Sequence, residues 1–393
     1  MLGLLVVAFV AAIVGLVVLW PSGEGRERAI AAADEIGIAT DRVRANVISS
    51  ETQRCSFASV DNPVDCRLLS VDILEGPDAG AELAIPEINL DIERGLPEFE
   101  PGDAIILGFA EPTNTYFYED FNRSTSLLVL VAIFVVIVVA FARLRGVLAL
   151  LAMALTVAVL VGFVAPSVLD GNDPLAVAIV AAIVIAFVSL FLTHGFTPTT
   201  AVALAGTLGA LVLTLLLSWI FFGLSRFTGF ADTEALVLPV LAQDLRVSSL
   251  LLGGAVIGAL GALDDVTVTQ VATVGELRRH NASMRSGELI ASGIRVGRDH
   301  IAATVNTLLL AYAGASLPIL LLFAASDQSL GIVANSEVVA VEIARTLCGS
   351  IGLIAAVPLT TGLAAAVLPP TEEAPLTPES EPKWDDFAPE DPS

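Results

Sequence analysis

The chain has 393 residues, a mean hydropathy of +0.82, 55 % hydrophobic residues and only 16 % charged ones, which is more apolar side chain than one soluble core can hide. It reads as an integral membrane protein whose first partner is the lipid bilayer. The formal net charge of -23, from 42 acids against 19 Lys+Arg, argues against nucleic acid and against anionic-lipid surfaces as partners. Every basic residue except Lys383 is arginine, so no Gly-rich loop ending in Lys-Ser/Thr exists and the chain is no P-loop ATPase by itself.

An apolar run of about 18 or more residues crosses the hydrocarbon layer as a helix, because only a helix satisfies its own backbone polar groups there. Eight such runs are predicted: Leu2–Trp20, Ser126–Phe141, Val147–Val164, Leu175–Leu192, Thr200–Phe222, Ser248–Leu263, Ile301–Phe323 and Glu342–Val367. The expected fold class is an all-α polytopic membrane helix bundle with a small β-rich extracytoplasmic module. Residues 1–20 carry no basic n-region, and Ala29-Ile30-Ala31 lies beyond the charged run Glu24–Arg28, so the first segment is read as an uncleaved membrane anchor.

Residues 21–125 hold about 21 of the acids. After a helical stretch around Ala29–Ile36 come period-two runs such as Leu69, Val71 and Ile73, then Ala104–Leu107 behind the turn Pro101-Gly102-Asp103. These are strand and turn signals for a small, partly closed barrel outside the membrane. Cys55 and Cys66 both lie in it and are candidates for a disulfide, with two reduced thiols as the alternative. Residues 126–368 are read as a seven-helix membrane domain with a cytoplasmic loop over 264–300. Residues 369–393 form a Pro- and acid-rich cytoplasmic tail with too few apolar residues for a core, expected to be disordered.

The short loops carry Arg143 and Arg145 in one place and Arg278, Arg279, Arg285, Arg295 and Arg298 in another. Positive loops stay inside. Both termini are then cytoplasmic and the 21–125 module is outside a bacterial cytoplasmic membrane.

Ionisable side chains within the bilayer cost several kcal/mol, roughly 2.5 to 3.5 at a helix centre, so each needs a reason. Asp264 and Asp265 close the sixth span. On a continuing helix Asp265, Thr269 and Thr273 share one face, an oxygen-rich stripe suited to Na⁺, Mg²⁺ or protons. The plainer alternative is a carboxylate pair in the headgroups with threonines bonded to their own backbone. Asp299 and Asn306 share a face at the start of the seventh span, where Asn306 either joins helices or completes a site with Asp264 and Asp265. Glu342 and Arg345, at i and i+3 in the eighth span, form a candidate membrane-embedded ion pair. His194, His280, His300 and the isolated Cys348 show no zinc or haem spacing. No metal or cofactor is expected. Gly254-x-x-x-Gly258 with Gly261, and Gly206 with Gly209, give small faces for helix contacts.

The run Gly261-Ala262-Leu263-Asp264-Asp265-Val266-Thr267-Val268-Thr269-Gln270, with Glu276-Leu277, Ser292-Gly293, Gly297-Arg298-Asp299-His300, Asn306-Thr307-Leu308-Leu309-Leu310-Ala311-Tyr312 and Leu317-Pro318, resembles the YibE/F-like family of bacterial membrane proteins. The similarity extends to His194-Gly195 and Pro358-Leu359-Thr360-Thr361, and the Asp-Asp-Val-Thr-Val-Thr-Gln form resembles the actinobacterial branch. The resemblance implies a multispanning architecture and no established reaction or substrate. It places Asp264, Asp265, Arg298, Asp299 and Asn306 within family-like motifs.

The expected function is a transporter or channel for a small ion or solute, with Asp264, Asp265, Thr269, Asp299 and Asn306 at its permeation site. The alternative is the membrane subunit or scaffold of an envelope complex, as a homo-oligomer or with a separate partner, in which the outer module binds that partner. No nucleophile, base and orienting group converge, so no enzyme is expected.

Overall fold

The computed structural model describes residues 1–35, 41–59, 63–93, 95–110, 114–231, 233–242, 245–281, 283–325 and 328–368. The tail at 369–393 lies outside the described residues. The chain divides into two units, one built from residues 26–150 and the other from residues 1–25 together with the chain from 151 onward. It begins with α1 (Leu2–Val18) and α2 (Glu24–Glu35).

The 26–150 unit holds six strands: β1 (Asp41–Arg54), β2 (Asp65–Ile73), β3 (Glu82–Ala84), β4 (Ile88–Asn89), β5 (Ala104–Ala110) and β6 (Thr115–Phe121). They pair antiparallel in the order β3-β2-β1-β5-β6, with β4 beside β2. Among the described strands β3, β4 and β6 are edges, so an open sheet stands where a partly closed barrel was expected. Alternation sends Leu69, Val71 and Ile73 of β2, Ala45 and Val47 of β1, and Ile105 and Leu107 of β5 into one apolar core. Phe99 stacks on Phe121 at 5.0 Å and meets Tyr118 edge-on at 5.1 Å, and burial pushes the Tyr118 phenol up to about 12. Cys55 and Cys66 are joined by a disulfide that ties the ends of β1 and β2. The charged residues stay outside in exposed pairs such as Arg42 with Glu119 and Arg44 with Glu75.

α3 (Ser124–Val159) runs into a π-helical turn at Leu160–Val164 and then α4 (Ala165–Leu169). This apolar run is 46 residues long, about 69 Å if straight and more than twice the roughly 30 Å hydrocarbon layer. It breaks at Arg143, whose φ of 52° and ψ of -130° are not helical. Two expected spans, Ser126–Phe141 and Val147–Val164, thus lie in one broken helical run.

Downstream come α5 (Pro174–His194), α6 (Pro198–Leu224), α7 (Thr233–Leu241), α8 (Val247–His280), α9 (Ser286–Ala315), α10 (Leu317–Ala324), α11 (Leu330–Asn335) and α12 (Glu337–Val367). Among the described residues five helices are long and apolar enough to cross a bilayer, or six if the pair α9 and α10, bent by 65°, is one span. The expected count of eight differs because α3 fuses two segments and α1, at 17 residues, falls short. Much of the segment 264–300, expected as a loop, is helical: α8 continues to His280 and α9 starts at Ser286.

Local chemistry sets these ends. Asp173 caps α5 by accepting from the Ala176 N–H at 3.0 Å, and Pro174 follows it. Gly195, at φ +75°, ends that helix, and Thr197 with Pro198 starts α6 two residues on. α8 packs against α5, α6, α9 and α12, and α12 also packs along α6. Phe9 meets Phe187 and Gly15 meets Val180, so α1 and α5 run in opposite directions. Gly253 lies by Ala178 and Asp264 by Ser189, so α5 and α8 run in the same direction. By the same reasoning α12 follows α8, whereas α6 and α9 oppose it. The start of α1, the end of α8 and the end of α12 therefore share one side of this unit.

On the opposite side the Asp170 carboxylate, just after α4, ties down the α1–α2 junction. It accepts from the Ser22 hydroxyl at 2.8 Å and the N–H groups of Gly25 at 2.6 Å, Gly23 at 3.3 Å and Ser22. A Cβ on Gly25 would stand 2.2 Å from the Leu169 carbonyl oxygen, so the close approach needs glycine. Burial works against ionisation of Asp170, but these donors outweigh it and hold the carboxyl below its ordinary value.

Candidate functional site

Asp264 sits about halfway along α8, on its inward side between Leu263 and Val266, both fully packed. The Ser189 hydroxyl of α5 donates to its Oδ2 at 2.9 Å, and the Thr207 hydroxyl of α6 lies 3.5 Å from its Oδ1. Thr207 is also 2.6 Å from the Thr267 hydroxyl, which donates back to the Asp264 carbonyl at 3.1 Å. One carboxylate therefore meets two hydroxyls drawn from two neighbouring helices, with the Thr267 hydroxyl of its own helix behind them. Ser189 is five residues, about 8 Å of helix, from the end of α5, so the cluster lies nearer the end that carries His194. Each hydroxyl can donate to a carboxylate or turn a lone pair toward a cation.

The other expected site residues do not join it. Asp265 is exposed, and Thr269 and Thr273 on its face donate to the carbonyls of Asp265 and Thr269 one turn back, at 2.8 and 2.9 Å. That is the backbone-bonded arrangement, in which the hydroxyl satisfies itself within its own helix. Asp299 and Asn306 are exposed on α9, and among the described residues no hydrogen bond links either to α8. Helical phase explains the split, because adjacent residues such as Asp264 and Asp265 point about 100° apart. Glu342 and Arg345 do pair, at 2.5 Å and part-buried, and Glu342 lines a cavity of about 270 Å³ with Tyr312, Ser316 and Thr346 between α9, α10 and α12.

Several polar residues that sequence reading passed over hold the helices around Asp264. Gln270, two turns further along α8, is buried and donates to the Gly293 carbonyl at 2.8 Å and to the Thr361 hydroxyl at 2.6 Å. It fits because Gly293 and Gly297 have no side chain, and a Cβ on Gly297 would stand 2.5 Å from Val357. On α6 the buried Thr200, Thr207, Thr214 and Ser218 lie at intervals of seven, seven and four, a single face. That spacing is visible in the sequence and is the signal that would have found Thr207. Ser189, alone among apolar neighbours on α5, gives no comparable signal. Arg278 caps α12 by donating to the carbonyls of Ala365 at 2.9 Å and Leu368 at 3.2 Å.

Among known proteins, residues 130–370 match the family model described as YibE/F-like protein. No curated protein and no solved structure matches the chain.

Proposed function

The chain belongs to the YibE/F-like protein family, and from that multispanning build together with the Asp264 cluster we propose that it is a transporter or channel for a small ion, with Asp264, Ser189, Thr207 and Thr267 lining its permeation site. The observation that carries this reading is a carboxylate on an apolar helix that is held by hydroxyls of two neighbouring helices. A carboxylate within a membrane bundle faces its partners or a polar path, and such residues mark ion pathways. Because Asp265 faces outward, the site carries one charge and suits a monovalent cation or a proton better than a divalent ion. The orientation proposed with it puts the end of α8, its arginines and both termini in the cytoplasm, by the rule that short positive loops stay inside.

Reconstitution of the full chain in liposomes tests this. Na⁺ or proton flux down an imposed gradient is expected to fall about tenfold or more in Asp264→Asn and to stay within about twofold of wild type in Asp265→Asn. Equal flux in wild type and Asp264→Asn, with both proteins folded, overturns the reading.

A further inference from the structure

At the end of α8 farthest from Val247, a cavity of about 490 Å³ opens between the α5–α6 turn, α8 and the end of α12. Its lining is mostly apolar, with Ala203, Val268 and Val271, and includes the polar His194, Thr199, Arg278 and Arg279. Arg279 pairs with Glu276, which offsets part of its charge. Arg278 has no such partner. It is nine-tenths buried, uses one Nη on the α12 carbonyls, and keeps a buried Nε with no hydrogen-bond partner. Among the described residues no carboxylate lies within ion-pair distance of it. The surrounding segment 274–300 carries five arginines, at 278, 279, 285, 295 and 298, against the acids Glu276, Glu288 and Asp299. The acidity of the whole chain comes from elsewhere, so its net charge of -23 does not describe this surface.

A largely apolar cavity lined by two arginines is the complement of an amphipathic anion. Guanidinium groups present donors matched to phosphate oxygens, and basic pockets between membrane helices take phospholipid headgroups. We propose that this cavity binds a phosphoryl group, with Arg278 and Arg279 as its cationic partners and the apolar wall accommodating what is attached to it. The group is supplied either by the headgroup of an anionic phospholipid or by free phosphate.

The test uses the full chain, delipidated in detergent, with native mass spectrometry against phosphatidylglycerol, phosphatidylcholine and inorganic phosphate. Retention of phosphatidylglycerol over phosphatidylcholine identifies the headgroup as the source. Saturable binding of phosphate with no lipid preference identifies the free anion. In either case Arg279→Gln is expected to weaken binding about fivefold. Arg278→Lys, which keeps a charge and a donor for the α12 carbonyls but loses the planar fork, is expected to weaken it while leaving the melting temperature near wild type. Equal retention of both lipids without phosphate binding overturns the proposal, as does anion binding that neither variant alters.

Discussion

The sheet of the 26–150 unit and the helices of the other unit solve the same packing problem in opposite solvents. In the sheet of the 26–150 unit the large apolar side chains of Leu69, Ile73, Ile105 and Leu107 are wholly buried, and the charges sit outside in pairs. In the other unit the interior holds Thr207, Thr214, Thr267, Gln270, Thr360 and Thr361, whereas Leu216, Trp219 and Phe221 of α6 face outward. Water makes apolar burial the driving force in the first. Lipid is as apolar as leucine, so the second relies on close backbone approach, small residues and hydroxyl bonds between helices. The difference teaches that a buried side chain has no fixed worth: its contribution depends on what surrounds the exposed alternative.

Matched truncations can break that comparison. Ile105→Ala in β5 is expected to destabilise the sheet by about 2–5 kcal/mol, whereas Val212→Ala, on the outward surface of α6 in the other unit, is expected to change stability by less than about 0.5 kcal/mol. Denaturant melts of the full chain followed by hydrogen exchange in each unit would check this, and equal losses would sink the contrast. A smaller effect sharpens it from the other side. A Cβ on Gly352 would stand 1.8 Å from the Thr214 hydroxyl, so Gly352→Ala should cost about 1–3 kcal/mol by overpacking. Adding Thr214→Ala removes the clashing oxygen and should recover most of the loss, read as thermal stability in detergent.

The smallest expected effect is one of pH. A carboxyl held below its ordinary value stabilises the fold above that value and stops doing so as pH falls through the lowered one. Asp170 is such a group. The difference in melting temperature between wild type and Asp170→Asn should therefore be constant from about pH 7 to 5 and shrink below about pH 4. A difference that grows on acidification would contradict the assignment.

The sequence made some of this legible and left some of it hidden, for reasons that can be named. Hydropathy located the apolar runs, and period-two alternation at Leu69, Val71 and Ile73 located β2, since both signals are local. The continuation of α8 through Asp264 to His280 was legible only as a condition, because its polar second half reads as a loop once hydropathy alone sets the boundary. Asp264 was named from its position in an apolar block. Its partners were not, because Ser189 lies 75 residues away and Thr207 lies 57 away, and no spacing rule reaches that far. Helical periodicity put Asp265 on one face with Thr269, and Asp299 on one face with Asn306. Periodicity says which residues share a face and is silent on which face turns inward.

The attachment of Ser22, Gly23 and Gly25 to Asp170 joins residues as much as 148 positions apart. At a synthesis rate of roughly 5–20 residues per second, the acceptor emerges about 7–30 s after its donors. During that interval the junction behind the first helix has no internal acceptor for these N–H groups and depends on water or on the insertion machinery. Closure of this contact therefore marks a late moment in biogenesis, reached only after α3 and α4 have been made.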